Sequence, residues 1–225
     1  MWQSVARPSR RSREPAFNVP PATLWISVGL VAIHAVLMVA GSKFADTVWI
    51  RLAFVPADLA HSFGPEGRIN GRILATLVSH MLLHANWTHL IMNVGFLLGF
   101  GSLVERAVGR WRYLLFLLFC GVVGALTLFA AGPLDEVLVI GASGAVYGTA
   151  GAATRLFVVP RSGVRGAAIF VLAMMSLNLL FGLVDFGLAG DGASLAWEAH
   201  GGSFIAGMVL IYLLPLRRPR YPELG

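Results

Sequence analysis

Ser143 stands among glycines in the string Gly141-Ala142-Ser143-Gly144, and His200 lies in another apolar segment far downstream. A serine hydroxyl is a weak nucleophile until a base removes its proton. A neutral imidazole is the commonest such base, and it must approach the hydroxyl to about 2.6–3.2 Å. The pair is the equipment for acyl transfer, which also needs donors for the oxyanion of the tetrahedral intermediate. The Ser143 N–H, at a helix start, is one such donor. His89 and Asn93 are spaced i, i+4 in an otherwise apolar stretch, so they share a helical face and present two more. Tyr147 follows Ser143 by one helical turn and is placed to stack on the His200 ring, although a packing aromatic fits that position equally well.

Each of these residues also has a structural reading. Gly144 and Gly148 form a GxxxG pair, and such strings are common packing devices in membrane helices. His200, His89 and Asn93 could hydrogen-bond across helices without catalysing anything. His80, His84 and His89 raise the question of a metal, but no HExxH string is present and no cysteine lies nearby. No metal is therefore expected, and His84 is expected to pin a loop by a local hydrogen bond. His34 and His61 have no polar companions at useful spacing and read as structural. No Asp or Glu lies well inside an apolar run, so a Ser-His dyad is expected rather than a triad. This chemistry needs no cofactor.

The surrounding chain is membrane-like. Of 225 residues 57% are hydrophobic and 12% charged, with a mean hydropathy of +0.75. A soluble domain carries about 25% charged residues. The net charge of +6 could indicate nucleic acid, but the arginines sit in short clusters between apolar runs, which is a topology signal and not a nucleic-acid surface. The single Cys120 lies in an apolar run and reads as an inert buried thiol. One lysine against sixteen arginines carries no physical message.

Six spans are expected, at about 24–40, 87–104, 113–131, 143 to before Pro160, 167–184 and 199–214. Residues 43–85 form a long mixed connection too charged to cross, suited to lying partly embedded at the interface. Residues 1–21 form a basic, proline-containing tail without the pattern of a cleavable signal. The domain organisation is thus a flexible tail (1–21), a six-helix domain (22–216) and a short tail (217–225). Arg106, Arg110 and Arg112, then Arg155, Arg161 and Arg165, then Arg217, Arg218 and Arg220 fall on the side of the arginine-rich N-terminal tail. The alternate side holds Asp135, Glu136, Asp185, Asp191 and Glu198. Both ends are expected to be cytoplasmic.

Only six residues separate Glu136 from Ser143. If the fourth helix starts near Ser143, those six enter the membrane as irregular backbone. That requires surrounding protein or a wet cavity. Ser143 is then a helix-start residue below the outer surface, at the same depth as His200. Gly201, Gly202, Ser203, Ala206 and Gly207 give the sixth span a small-residue face on which the fourth can pack closely.

The motifs His80-xxx-His84-xxxx-His89-xxx-Asn93, Gly141-x-Ser143-Gly144-xx-Tyr147, and Ala199-His200 with Gly207 resemble those of the rhomboid intramembrane serine proteases, in the same order and on the same spans. The resemblance implies an all-α, polytopic, six-helix bundle with an interfacial first loop. It implies Ser143 as nucleophile, His200 as base, His89 and Asn93 in the oxyanion hole, and Tyr147, Gly141, Gly144 and His84 in support. It implies as partners the lipid bilayer and the transmembrane segments of other proteins, cut near the outer surface. The positive-inside pattern without organelle signals points to a membrane of the bacterial inner type. Glu105-Arg106 resembles an acidic-basic turn of the family. Two positions depart from the pattern. Ala75-Thr76, with Arg72 just before, stands where the family often has Trp-Arg, and Ser203 stands where a glycine is frequent. One branch of the family binds clients without cutting them, and the presence of both Ser143 and His200 argues against that branch. A transporter would show an internal repeat, which this chain lacks. The glycine-rich stretch 187–192 is expected to be a lid.

Overall fold

The computed structural model describes residues 18–64, 67–69, 71–189 and 197–217. Helix α1 (Pro21–Ala40) leads into three short helices, α2 (Ser42–Leu52), α3 (Pro56–Ser62) and α4 (Gly71–Ser79). A 3₁₀ turn (His80–Leu82) precedes α5 (Trp87–Phe96), which continues through a wide π turn (Leu97–Gly101) into α6 (Ser102–Val108). Helix α7 (Arg110–Ala131) follows, then an irregular stretch, then α8 (Ser143–Ala153). A second π turn (Thr154–Val158) joins α8 to α9 (Val159–Ala189), and α10 (Trp197–Leu213) completes the order. Four helical stretches among the described residues are long and apolar enough to cross a membrane: Pro21–Ala40, Trp87–Val108, Arg110–Ala131 and Ser143–Leu177. The chain is a polytopic helical membrane protein.

The packing follows from residue size. On α7 the buried positions are Tyr113, Phe116, Leu117, Cys120, Gly121, Gly124, Ala125 and Leu128, a stripe of period 3.6. Its opposite face exposes Trp111, Leu115, Leu118 and Phe119, a surface suited to lipid and not to water. Helix α8 differs, being buried from Gly144 to Ala153. Its glycines and alanines let α7 and α10 close on it from two sides. A β-carbon at Gly148 would collide with Cys120 of α7, and one at Gly207 of α10 would collide with the Gly148 carbonyl. Ser203 is fully buried and its hydroxyl donates to the Cys120 carbonyl at 2.9 Å. The hydroxymethyl that departs from the family pattern therefore ties α10 to α7.

The first loop is mostly helical, and it holds the irregular stretch before Ser143. Phe54 and Val139 exchange two backbone hydrogen bonds, at 3.1 and 2.8 Å, Ala57 N–H donates to the Asp135 carbonyl at 3.0 Å, and Gly141 N–H donates to the His80 carbonyl at 3.0 Å. Protein groups therefore satisfy the irregular backbone at Asp135, Val139 and Gly141. At the other end of the molecule the Glu105 carboxylate accepts from Ala22 N–H (3.0 Å), Thr23 N–H (2.7 Å) and the Thr23 hydroxyl (2.8 Å). A carboxylate at a helix N-terminus meets unpaired N–H groups and the positive end of the dipole.

Two boundaries differ from expectation. The helix that begins at Ser143 runs past Pro160, and its break falls at Gly163, with φ 60° and ψ −164°. Proline lacks the N–H for an α ladder, and the π turn just before it already loosens that ladder. Helix α9 continues to Ala189, so Gly187 is helical and not part of a lid, whereas 190–192 lie outside the described residues. Residues 1–17 of the expected N-terminal tail and 218–225 of the C-terminal one also lie outside them.

Candidate active site

Ser143 is the first residue of α8, after a backbone that only glycine adopts easily: Gly141 has φ +121°. This turn lifts the chain out of the pairing with His80 and directs the Ser143 side chain toward α10. There the Ser143 Oγ lies 2.8 Å from His200 Nε2. Ser143 is half-buried while His200 is buried. The second ring nitrogen of His200, Nδ1, is buried without a hydrogen-bonding partner among the described residues. The Tyr147 ring stacks on the His200 ring, with centroids 4.3 Å apart and planes 9° from parallel. The Tyr147 hydroxyl donates to the Met174 carbonyl at 3.4 Å, which links the stack to α9.

His89 and Asn93 arrive from α5. Asn86 caps that helix, its side chain accepting from His89 N–H at 2.8 Å. One Asn93 amide N–H donates to the His89 carbonyl at 2.9 Å, and Asn93 is buried. The His89 ring lies against Gly141: a β-carbon there would stand 2.7 Å from Cε1 and 2.8 Å from Nε2. Ser143, His200, Tyr147, Gly141 and His89 thus converge. Gly144 does not face this group. It turns toward α7 and α10, where an added β-carbon would lie 3.2 Å from Ser203 Oγ and 3.6 Å from Gly121 Cα.

His84 behaves differently from expectation. It is fully buried, but neither ring nitrogen has a hydrogen-bonding partner among the described residues, so the expected pin is not seen. Its ring instead meets the edge of His89, centroids 5.2 Å apart. Burial, then the nearby His89 and His34, push its pKa down to about 3. His80 supplies the anchoring instead: its Nδ1 contacts the Thr76 carbonyl at 2.9 Å, and its own carbonyl holds Gly141. Burial also lowers the His80 pKa, against the raising effect of the Thr76 carbonyl. No group of three or more His, Cys, Asp or Glu among the described residues is arranged to hold a metal. Asn86 was legible as a helix cap three residues before His89. The anchoring role of the His80 carbonyl had no side-chain signal.

The family model for the rhomboid domain matches residues 72–217. The chain belongs to the rhomboid family. The Bacillus subtilis protein YdcA is 40% identical to it over 75 residues, 33% of this chain and 37% of YdcA. The rhomboid protease GluP of the same organism is 30% identical over 132 residues, 58% of this chain and 24% of GluP. An uncharacterized protein of Mycobacterium tuberculosis is 25% identical over 231 aligned residues, covering 96% of this chain and 88% of its own length. The chain spans well under half the length of the first two relatives.

Proposed function

We propose that this rhomboid-family protein is an intramembrane serine endopeptidase that cuts transmembrane segments of other membrane proteins. The observation that carries the reading is the 2.8 Å approach of Ser143 Oγ to His200 Nε2. For Nε2 to accept the hydroxyl proton, the neutral ring must carry its own proton on Nδ1. Ser143 Oγ attacks the scissile carbonyl carbon while its proton passes to His200. The oxyanion is met by the Ser143 N–H, unpaired at the helix start, by His89, and by the second amide N–H of Asn93. Collapse breaks the C–N bond, and His200 returns the proton to the leaving amine. Water then hydrolyses the acyl-enzyme with the same histidine as base. Among the described residues no carboxylate bonds Nδ1, and Tyr147 supplies the support instead: its ring face attracts the imidazolium that forms during attack.

The domain reading is 22–216, with 1–21 and 217–225 as flanking tails. Six spans, counting α9 beyond Gly163 and α10, put both ends on the arginine-rich, cytoplasmic side. The site then opens toward the outer side of a membrane of the bacterial inner type.

The test is labelling of purified protein by a fluorophosphonate serine probe, in wild type, Ser143→Ala and His200→Ala. Label on wild type alone is the expected result. Folded wild type that takes no label, or Ser143→Ala that still cleaves a reporter membrane substrate, would overturn the reading in favour of a non-catalytic client-binding scaffold.

A further inference from the structure

The end of the molecule opposite Ser143 carries an open cleft of about 440 Å³, lined by Asn18, Pro20, Pro21, Glu105, Arg106, Arg110, Trp111 and Arg217. It forms where the start of α1, the end of α6, the start of α7 and the chain after α10 meet. Among the described lining residues three are arginines and one is an acid. That acid, Glu105, is occupied by Ala22 and Thr23. Cationic charge therefore dominates the cleft.

The arginines are held in place. Arg106 donates to the Asn18 carbonyl. The Arg217 backbone N–H donates to the Ala107 carbonyl at 2.7 Å. Its guanidinium lies directly over Gly109, where an added β-carbon would stand 2.6 Å from Cζ. Gly109 also has φ +87°, so the residue that leaves room for the guanidinium also makes the turn between α6 and α7. Arg110 lies over the Trp111 ring, 4.7 Å from its centroid, and Trp111 is 69% exposed. An exposed tryptophan beside arginines at a helix end belongs at the headgroup level of a bilayer. Guanidinium forks match phosphate oxygens two at a time.

We propose that this cleft binds the phosphate-bearing headgroup of an anionic glycerophospholipid, with Arg106, Arg110 and Arg217 on the phosphate and Trp111 at the glycerol and upper acyl region. The proposal uses the membrane embedding of the chain and is independent of its catalytic reading. Positive charge at a cytoplasmic helix end serves topology in any membrane protein. What this cleft adds is three guanidinium groups from separate segments converging on one concavity, the arrangement of a headgroup site between helices.

The experiment uses the full-length protein in nanodiscs of phosphatidylcholine with a one-fifth share of phosphatidylglycerol, followed by gentle extraction and native mass spectrometry of retained lipid. Wild type is expected to retain phosphatidylglycerol well above its share. Each of Arg106→Gln, Arg110→Gln and Arg217→Gln is expected to cut that enrichment about fivefold, and the triple variant to abolish it. If the triple variant does not fold, Arg110→Gln and Arg217→Gln alone decide the matter. Thermal midpoints identify any variant that has lost its structure. Retention at the bulk ratio in wild type, or full enrichment in the folded variants, would overturn the proposal. Removal of the enrichment by millimolar inorganic phosphate, with no dependence on the acyl chains, would overturn the lipid as the ligand and leave a free phosphate site.

Discussion

The ring of His89 occupies the space that a side chain at Gly141 would need, with Cε1 and Nε2 only 2.7 and 2.8 Å from the position of an added β-carbon. Gly141 also has φ +121°, which side chains rarely adopt. Gly141→Ala should therefore strain the turn before Ser143 and displace His89 together. If His89 is an oxyanion donor, initial cleavage rates should fall about 10²–10³-fold, the usual cost of one such donor. A Gly141→Ala protein that cleaves at the wild-type rate would remove His89 from the proposed oxyanion hole.

Tyr147 offers a finer test of the dyad, because its ring and its hydroxyl do separate things. The ring stacks on His200 at 4.3 Å, and the hydroxyl reaches Met174 with a long 3.4 Å contact. Tyr147→Phe keeps the stack and should retain most of the rate of probe inactivation. Tyr147→Ala loses the stack and should slow it roughly 3- to 30-fold, the range of a ring–cation contact. Equal rates in Ala and Phe variants would show that the ring does not support the imidazolium.

Stability should depend on pH through the first loop. The His84 ring is buried with no hydrogen-bonding partner among the described residues, and its pKa is pushed down to about 3. Folding thus lowers this residue's affinity for a proton. Its contribution is fully present above the unfolded value near 6.5 and is lost as pH falls from there toward 3. His80, lowered by burial, acts in the same direction. The thermal midpoint in detergent should drop between pH 7.5 and 5, and His84→Phe should flatten that slope. An unchanged slope in the variant would assign the pH response elsewhere.

The Glu105 carboxylate takes three hydrogen bonds from the start of α1. Glu105→Gln keeps the shape but loses the charge, and Glu105→Ala leaves two helix-start N–H groups and a hydroxyl unpaired. Hydrogen bonds to a charged group are worth about 1.5–3 kcal/mol. The thermal midpoint should fall in the order wild type, Gln, Ala. Thr23→Val should lose part of what Glu105→Ala loses, since it removes one of the three donors. A Glu105→Ala midpoint equal to wild type would rule out the cap.

Much of this arrangement was legible in the sequence. Alternating arginine-rich and acidic loops led to the expectation that Ser143 and His200 share one membrane depth, and small residues on both spans to the close approach that their 2.8 Å contact shows. Spacing by four placed Tyr147 and Ser143 on one face, and His89 and Asn93 on another. What escaped was set by contacts between distant segments. Nothing local marks Phe54 as the backbone partner of Val139, because that pairing uses main-chain atoms that every residue has. Glu105 was visible as an acid after a span, but its partners at Ala22 and Thr23 are 83 and 82 residues away. Pro160 read as a helix stop because its missing N–H is a local rule, whereas the π turn that accommodates it has no comparable sequence mark.

The same small-residue logic sets the last prediction. An added β-carbon at Gly207 would collide with the Gly148 carbonyl, and one at Gly151 with the Phe204 carbonyl. Both obstacles are backbone, so no rotamer change relieves them and α8 and α10 must separate. Overpacking of this kind costs about 1–3 kcal/mol. The separation also stretches the hydrogen bond between Ser143 and His200, which spans the same two helices. Gly207→Ala should therefore lower the thermal midpoint and slow probe labelling in parallel. Gly201→Ala, on the same helix with nothing within 4 Å of its added carbon, should leave the midpoint unchanged. Normal labelling by a destabilised Gly207→Ala protein would mean that the dyad does not depend on this helix contact.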